Sequence, residues 1–192
     1  MKTLVLDAMG VMFSTADDVT DLLIPFIREH GGVAEAEFMR HAYLEASLGR
    51  MSSAQFWDAV GLDVADEDVY LARHVLMPGF HQFYEDVRPL AASICCLSND
   101  VAEWASKLRR RFSLEPLFEY WFTSGEIGLR KPDPQIYRHM LEELRLPAKE
   151  VVFVDDRIAN VDAAASLGLT SLHFCGDAAS MLPIVIDALA AQ

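Results

Sequence analysis

Hydrophobic positions along this chain follow two different periods, and the switch between them predicts its organisation. Short unbroken apolar runs, each closed by polar or acidic residues, occur at Thr3 to Leu6, Ser93 to Leu97, Val151 to Val154 and Ser171 to Phe174. Runs of this length and continuity read as strands buried on both faces, the habit of a parallel sheet. A shorter strand is expected at Tyr120 to Thr123. Between the later runs the spacing turns helical, over Val101 to Phe112, Pro134 to Leu146 and Ile158 to Leu167. Pro134 suits a first helical turn with Asp133 as its N-cap, and Gly168 suits the C′ position of the third helix. This alternation predicts an α/β fold built on a doubly wound parallel sheet.

The stretch from 15 to 85 is different, with helical apolar spacing and no convincing strand. Leu22, Leu23, Phe26 and Ile27 can share one helix face, and Phe38, Ala42, Tyr43 and Leu48 another. Further helices are expected at Ser53 to Val60 and Asp66 to Met77, punctuated by Gly31-Gly32, Gly49, Gly61 and Pro78-Gly79. The expected division is therefore a Rossmann-like core of residues 1–14 and 86–192, interrupted by a small helical cap at 15–85.

Charge narrows the function classes. The net charge is −13, and residues 15–85 alone carry thirteen acidic against four basic residues. No basic patch is dense enough to neutralise a run of phosphates, so a general nucleic-acid binder is not expected. Arg109, Arg110 and Arg111 read as the last turn of a helix, favoured by its dipole. No stretch approaches the ~20 apolar residues that span a bilayer. Cys95, Cys96 and Cys175 read as small buried residues in a reducing compartment. The expectation is a cytoplasmic protein without a membrane or nucleic-acid partner.

The candidate chemistry stands at the strand ends, where open α/β sheets place it. Asp7 follows the first run, with Gly10 marking a backbone that needs positive φ or a close approach. Ser98-Asn99 follows the second run and Asp155-Asp156 the third, with Lys131 in the loop between. Singly, Asp7 reads as a turn residue, Ser98 as a helix cap and Lys131 as a solvated side chain. The adjacent acids Asp155 and Asp156 are harder to dismiss, because they repel at the end of a buried strand unless a cation offsets them.

Together, Asp7-Ala8-Met9-Gly10-Val11, Leu97-Ser98-Asn99-Asp100, Lys131-Pro132-Asp133-Pro134 and Phe153-Val154-Asp155-Asp156 resemble, in order and spacing, the four motifs of the haloacid dehalogenase-like hydrolase superfamily. The long gap between Asp7 and Ser98 implies the helical cap of its first subclass. The resemblance implies a Mg²⁺-dependent phosphatase for a small phosphorylated metabolite, similar to the sugar-phosphate branch. In it Asp7 is the nucleophile that forms an aspartyl-phosphate, and Lys131 balances charge. Ser98 and Asn99 orient the phosphoryl group, and Asp7, Asp155, Asp156 and the Met9 carbonyl surround the metal. Arg50, in the Gly49-Arg50 cap segment, is a candidate substrate ligand, and His30, His41, His74, His81 and Tyr43 are further cap candidates.

One position departs from the pattern. The family's phosphatases usually carry an aspartate two residues after the nucleophile as general acid and base, and Met9 cannot move protons. A 2-haloacid dehalogenase also lacks that second acid, although tyrosine is its usual replacement and its last motif has fewer acids. A catalytically weak protein that binds a phosphorylated ligand, or acts by regulation, is a third reading.

Overall fold

The computed structural model describes residues 1–33 and 35–191. Five parallel strands form its centre: β1 (Thr3–Leu6), β2 (Ile94–Ser98), β3 (Tyr120–Thr123), β4 (Val151–Asp155) and β5 (Thr170–His173). Their spatial order is β3-β2-β1-β4-β5. The chain therefore winds outward from β1 on one side, then returns to pair β4 on the other. A crevice opens where the winding direction reverses, between β1 and β4. Leu6 lies opposite both Cys96 and Val154, so the carboxyl ends of the three strands, at Leu6, Ser98 and Asp155, open on the same edge of the sheet.

The three central strands are wholly buried. Their side chains alternate between two cores, as the two-residue strand period requires. Leu4, Leu6, Ile94, Cys96, Val152 and Val154 face one core. Val5, Cys95, Leu97, Val151 and Phe153 face the other, against Ile136, Tyr137 and Met140 of α8 (Pro134–Leu144) and Ala164 of α9 (Ile158–Ser166). Asp133 caps α8 by accepting from the Gln135 amide at 2.9 Å.

After β1 the chain forms a π-helical turn (Val19–Leu23), α1 (Ile24–Glu29), α2 (Ala36–Ala46), α3 (Ser53–Ala59) and α4 (Glu67–Leu71). A capping box formed by Ser52 and Gln55 starts α3. These inserted helices share the first core with the sheet, through Phe56, Trp57 and Tyr70 packed against Trp104 of α6 (Ala102–Arg111), with Phe26 packed in turn on Trp57 and Tyr70. Glu67 is buried at this junction, accepting from the indoles of Trp57 at 2.9 Å and Trp104 at 2.8 Å, and pairing with Lys107 at 2.7 Å. Backbones also meet closely here: a Cβ on Gly49 would lie 2.4 Å from the Gly125 carbonyl oxygen, in the short helix α7 (Ser124–Ile127). The helix α5 (Phe80–Val87) lies partly in the stretch expected to form the cap, yet packs on α10 (Ala178–Ala190). Among the described residues no helix is long and apolar enough to cross a membrane.

Three details differ from the sequence reading. The helix expected over 66–77 stops at Leu71, because the following segment pairs instead with the loop after β1. Ser14 donates to the Val75 carbonyl and Met77 to the Met12 carbonyl, at 2.9 and 2.8 Å. In α2 the buried stripe is Met39, Ala42, Tyr43 and Ala46, which leaves Phe38 exposed and Leu48 half-buried. Cys95 and Cys96 are buried in β2, but Cys175 is exposed, just beyond the edge strand β5.

Candidate active site

Asp7 sits at the tip of β1, held by its amide to the Val154 carbonyl at 2.9 Å. Its Oδ1 accepts from the Ala8 amide and pairs with Lys131 Nζ, each at 2.7 Å. Lys131 Nζ also reaches Asp155 Oδ2, at the tip of β4, at 2.7 Å. The lysine is placed by Asn99, whose side-chain amide donates to its carbonyl and accepts from its amide, both at 2.9 Å. Both oxygens of Asp155 are further engaged by Asn160 Nδ2 at 3.0 Å, and Oδ1 also by the Arg157 amide at 2.8 Å.

Asp156 contrasts with its neighbour. It is half-buried, and its Oδ1 is out of solvent without a hydrogen-bond partner among the described residues. Carboxylate oxygens of Asp7, Asp155 and Asp156 lie within 4.8 Å of one another. Gly10 makes this approach possible: its φ is +75°, and a Cβ there would stand 2.6 Å from Asp156 Oδ2.

Three carboxylates around one lysine leave an excess of negative charge. Burial first, and then the charge of Asp155, pushes the Asp7 carboxyl up to about 8 despite Lys131. Asp156 is also raised, by burial and then by Asp155. Burial works against the charge of Lys131, but Asp7 and Asp155 overcome it and hold the amine above its ordinary range. A hard divalent cation would remove this repulsion, and the orphaned Asp156 oxygen supplies the kind of ligand it takes. The all-oxygen donor set fits Mg²⁺.

Above these groups lies a cleft of about 280 Å³, lined on the core side by Asp7, Met9, Ser98, Asn99, Lys131 and Asn160. Ser98 Oγ is buried without a partner among the described residues. The opposite wall comes from Asp17, Asp18, Val19, Arg40, Tyr43 and Leu44, and Arg130 and Arg157 complete the lining. Tyr43 donates to the Asn99 carbonyl at 3.0 Å, and Arg130 lies over its ring at 5.5 Å while bonding to Ser47.

The structure thus brings Asp7, Met9, Ser98, Asn99 and Lys131 to one cleft, with Asp155 and Asp156 at its base. It does not bring Arg50 there. That side chain is largely exposed, pairs with Glu45 at 3.1 Å and borders a separate depression with Gly49, Gln55 and Glu103. His41 and His81 are exposed, and His30 is stacked on Phe26. His74 is buried behind the cleft wall, beside Asp18. Arg40, Arg130, Arg157, Asp18 and Asn160 also line the cleft, although the sequence did not single them out as site residues. Arg130 and Arg157 stand beside quoted motif residues, and that adjacency was the available signal.

Residues 1–168 match the family model for a haloacid dehalogenase-like hydrolase. The chain belongs to that family. Among curated relatives, the haloacid dehalogenase-like chain is 30% identical over 99 residues to sesquiterpene phosphatase astK of Aspergillus oryzae, covering 52% of this chain and 50% of that protein. It is 28% identical over 96 residues to a phosphorylated carbohydrates phosphatase of Thermotoga maritima, covering 50% and 44%. The matched stretches span half or less of these relatives' own lengths.

Solved structures agree on the family's fold. A HAD family enzyme of Bacteroides thetaiotaomicron, in complex with magnesium and inorganic phosphate, superposes with a TM-score of 0.77 at 21% identity, covering 90% of this chain and 93% of that one. A HAD-like family hydrolase from Porphyromonas gingivalis gives 0.79 at 22% identity, covering 100% and 99%.

Proposed function

We propose that the chain is a Mg²⁺-dependent phosphatase for a small phosphorylated metabolite, working through an aspartyl-phosphate on Asp7. The observation that carries this is the buried triangle of Asp7, Lys131 and Asp155 with the unpartnered Asp156 oxygen beside it. A haloacid dehalogenation at Asp7 would give no use to a second acid left without a partner.

In this reading Asp7 attacks phosphorus with Oδ2, while Oδ1, oriented by the Ala8 amide and Lys131, is the oxygen left for the metal. Placing nucleophile and phosphoryl group in one oriented site turns a bimolecular reaction into an effectively unimolecular one. Ser98 Oγ, out of solvent and unpartnered, donates to a phosphoryl oxygen. Lys131 offsets the charge gathered on the phosphoryl oxygens and carboxylates. Asp7, Asp156, the Met9 carbonyl and Asp155 would hold Mg²⁺. When bound, the metal supplies positive charge to the phosphoryl oxygens.

Asn99 acts mainly through its backbone, since its side-chain amide is spent on the Lys131 peptide. Substrate contact falls to Arg40, Arg130 and Arg157 rather than Arg50, because these three line the cleft. The phosphatases among the curated relatives support a phosphorylated substrate, one acting on sesquiterpenes and one on carbohydrates by name. Two free cysteines buried in β2 fit a cytoplasmic setting.

Hydrolysis of 4-nitrophenyl phosphate tests the reading. Turnover should require Mg²⁺, stop with a chelator and be abolished in Asp7→Asn. Chelator-resistant turnover, or activity surviving in Asp7→Asn, would reject it.

A further inference from the structure

Met9 leaves the cleft without the usual proton carrier, so any substitute must come from another residue of the lining. Three carboxylates line the cleft: Asp7, Asp17 and Asp18. Asp7 is paired with Lys131, and Asp17 is committed to the Thr20 amide at 3.1 Å and hydroxyl at 2.6 Å. Asp18 is 4% exposed and starts the π-helical turn, yet its side chain makes no cap hydrogen bond. Among the described residues its one ion-pair contact is with Nε2 of His74, 4.0 Å from Oδ2. A carboxylate this buried ordinarily collects donors, so its freedom calls for an explanation.

Its surroundings are polar and enclosed. Tyr43 from α2, Tyr70 from α4 and Asp100 from the loop after β2 are close enough for its charge to act on them. Tyr43 is committed to the Asn99 carbonyl, Asp100 accepts from the Val101 amide at 2.7 Å, and the Tyr70 hydroxyl is buried without a partner. His74 is fixed by its Nδ1 at 3.3 Å from the Leu71 carbonyl, and its ring packs edge-on against Tyr70 and Phe13. Nε2 is thereby aimed at Asp18.

We propose that Asp18 is the general acid and base of this cleft, with His74 as its positioning residue. The assignment rests on the phosphatase reading above. In the first step a bond forms between Asp7 and phosphorus, the ester oxygen leaves, and the Asp18 carboxyl proton goes to that oxygen. In the second, a water oxygen bonds to phosphorus, the bond to Asp7 breaks, and the Asp18 carboxylate takes the water proton. The acid form is restored and one water is consumed.

The test is pre-steady-state hydrolysis of 4-nitrophenyl phosphate and glycerol 1-phosphate, with Mg²⁺, by the wild type and Asp18→Asn. Nitrophenolate leaves without a proton, so Asp18→Asn should keep a first-turnover burst and then stall as aspartyl-phosphate. Glycerol phosphate should show no burst, and its steady-state rate should fall by about 10² to 10⁴, the usual worth of general acid–base catalysis. Adding Met9→Asp to Asp18→Asn should recover glycerol phosphate turnover. His74→Gln, which alters no group lining the cleft, should lower kcat for glycerol phosphate, leave KM unchanged and keep the aryl burst. It is also the informative variant if Asp18→Asn does not fold.

Wild-type turnover of glycerol phosphate by Asp18→Asn, or equal loss of the burst and the steady state, would overturn the assignment while leaving the phosphatase reading intact. Failure of the wild type to hydrolyse any phosphate ester would overturn both.

Discussion

The floor and the roof of the cleft are built on opposite principles. The floor is a set of charges delivered by strand ends, with Asp7 and Asp155 sharing Lys131 and Asp156 left with an unpartnered oxygen. The roof is carried by an aromatic cluster, Phe26, Phe56, Trp57, Tyr70 and Trp104, with the buried Glu67 bridging the inserted helices to α6. On the floor, the unbalanced charge fits the proposed role of taking up a metal and a phosphoryl group. Under the roof the buried Glu67 carboxylate is fully partnered, so its charge fixes shape.

Removing one charge from each region should separate these roles. Lys131→Met strands two buried carboxylates, and denaturant unfolding near neutral pH should show a loss of about 3–5 kcal/mol along with loss of turnover. A loss below about 1 kcal/mol would mean that the floor does not depend on its lysine. Glu67→Ala leaves two indole N–H groups without an acceptor and should cost about 2–3 kcal/mol, with turnover per folded molecule unchanged. A fall in kcat at constant folded fraction would show that the roof takes part in the chemistry.

The smallest effect concerns protons. Asp7 is pushed up to about 8 and Asp156 is raised, and both bind a metal only when ionised. Mg²⁺ binding near neutral pH should therefore release protons, and affinity should climb as pH rises toward 8 and then level off. Calorimetry in buffers of different ionisation enthalpy reads this directly. Affinity that falls with rising pH would contradict the charge balance described for the floor.

The same contrast governs what could be read from the chain. The floor is local: β1 and β3 were placed to the residue, and Asp7, Ser98, Lys131, Asp155 and Asp156 follow from strand ends and motif order. The roof depends on how helices pack, which period alone does not fix. The α2 stripe is shifted, and Arg50 stands outside the cleft while Arg40 lines it. Residues 72–77 were read as helix because their own spacing allows it, but backbone pairing with Met12 and Ser14 wins. Asp18 carried no signal beyond an acidic pair, because its meaning comes from His74, more than fifty positions later.

The most direct test of the account is rapid quenching of the wild type during 4-nitrophenyl phosphate turnover, followed by mapping of the phosphorylated peptide. A base-labile phosphoryl group on Asp7, formed and lost at rates compatible with turnover and absent in Asp7→Asn, is the predicted result. Turnover with no phosphoryl group on Asp7, or with the group on another residue, would contradict it.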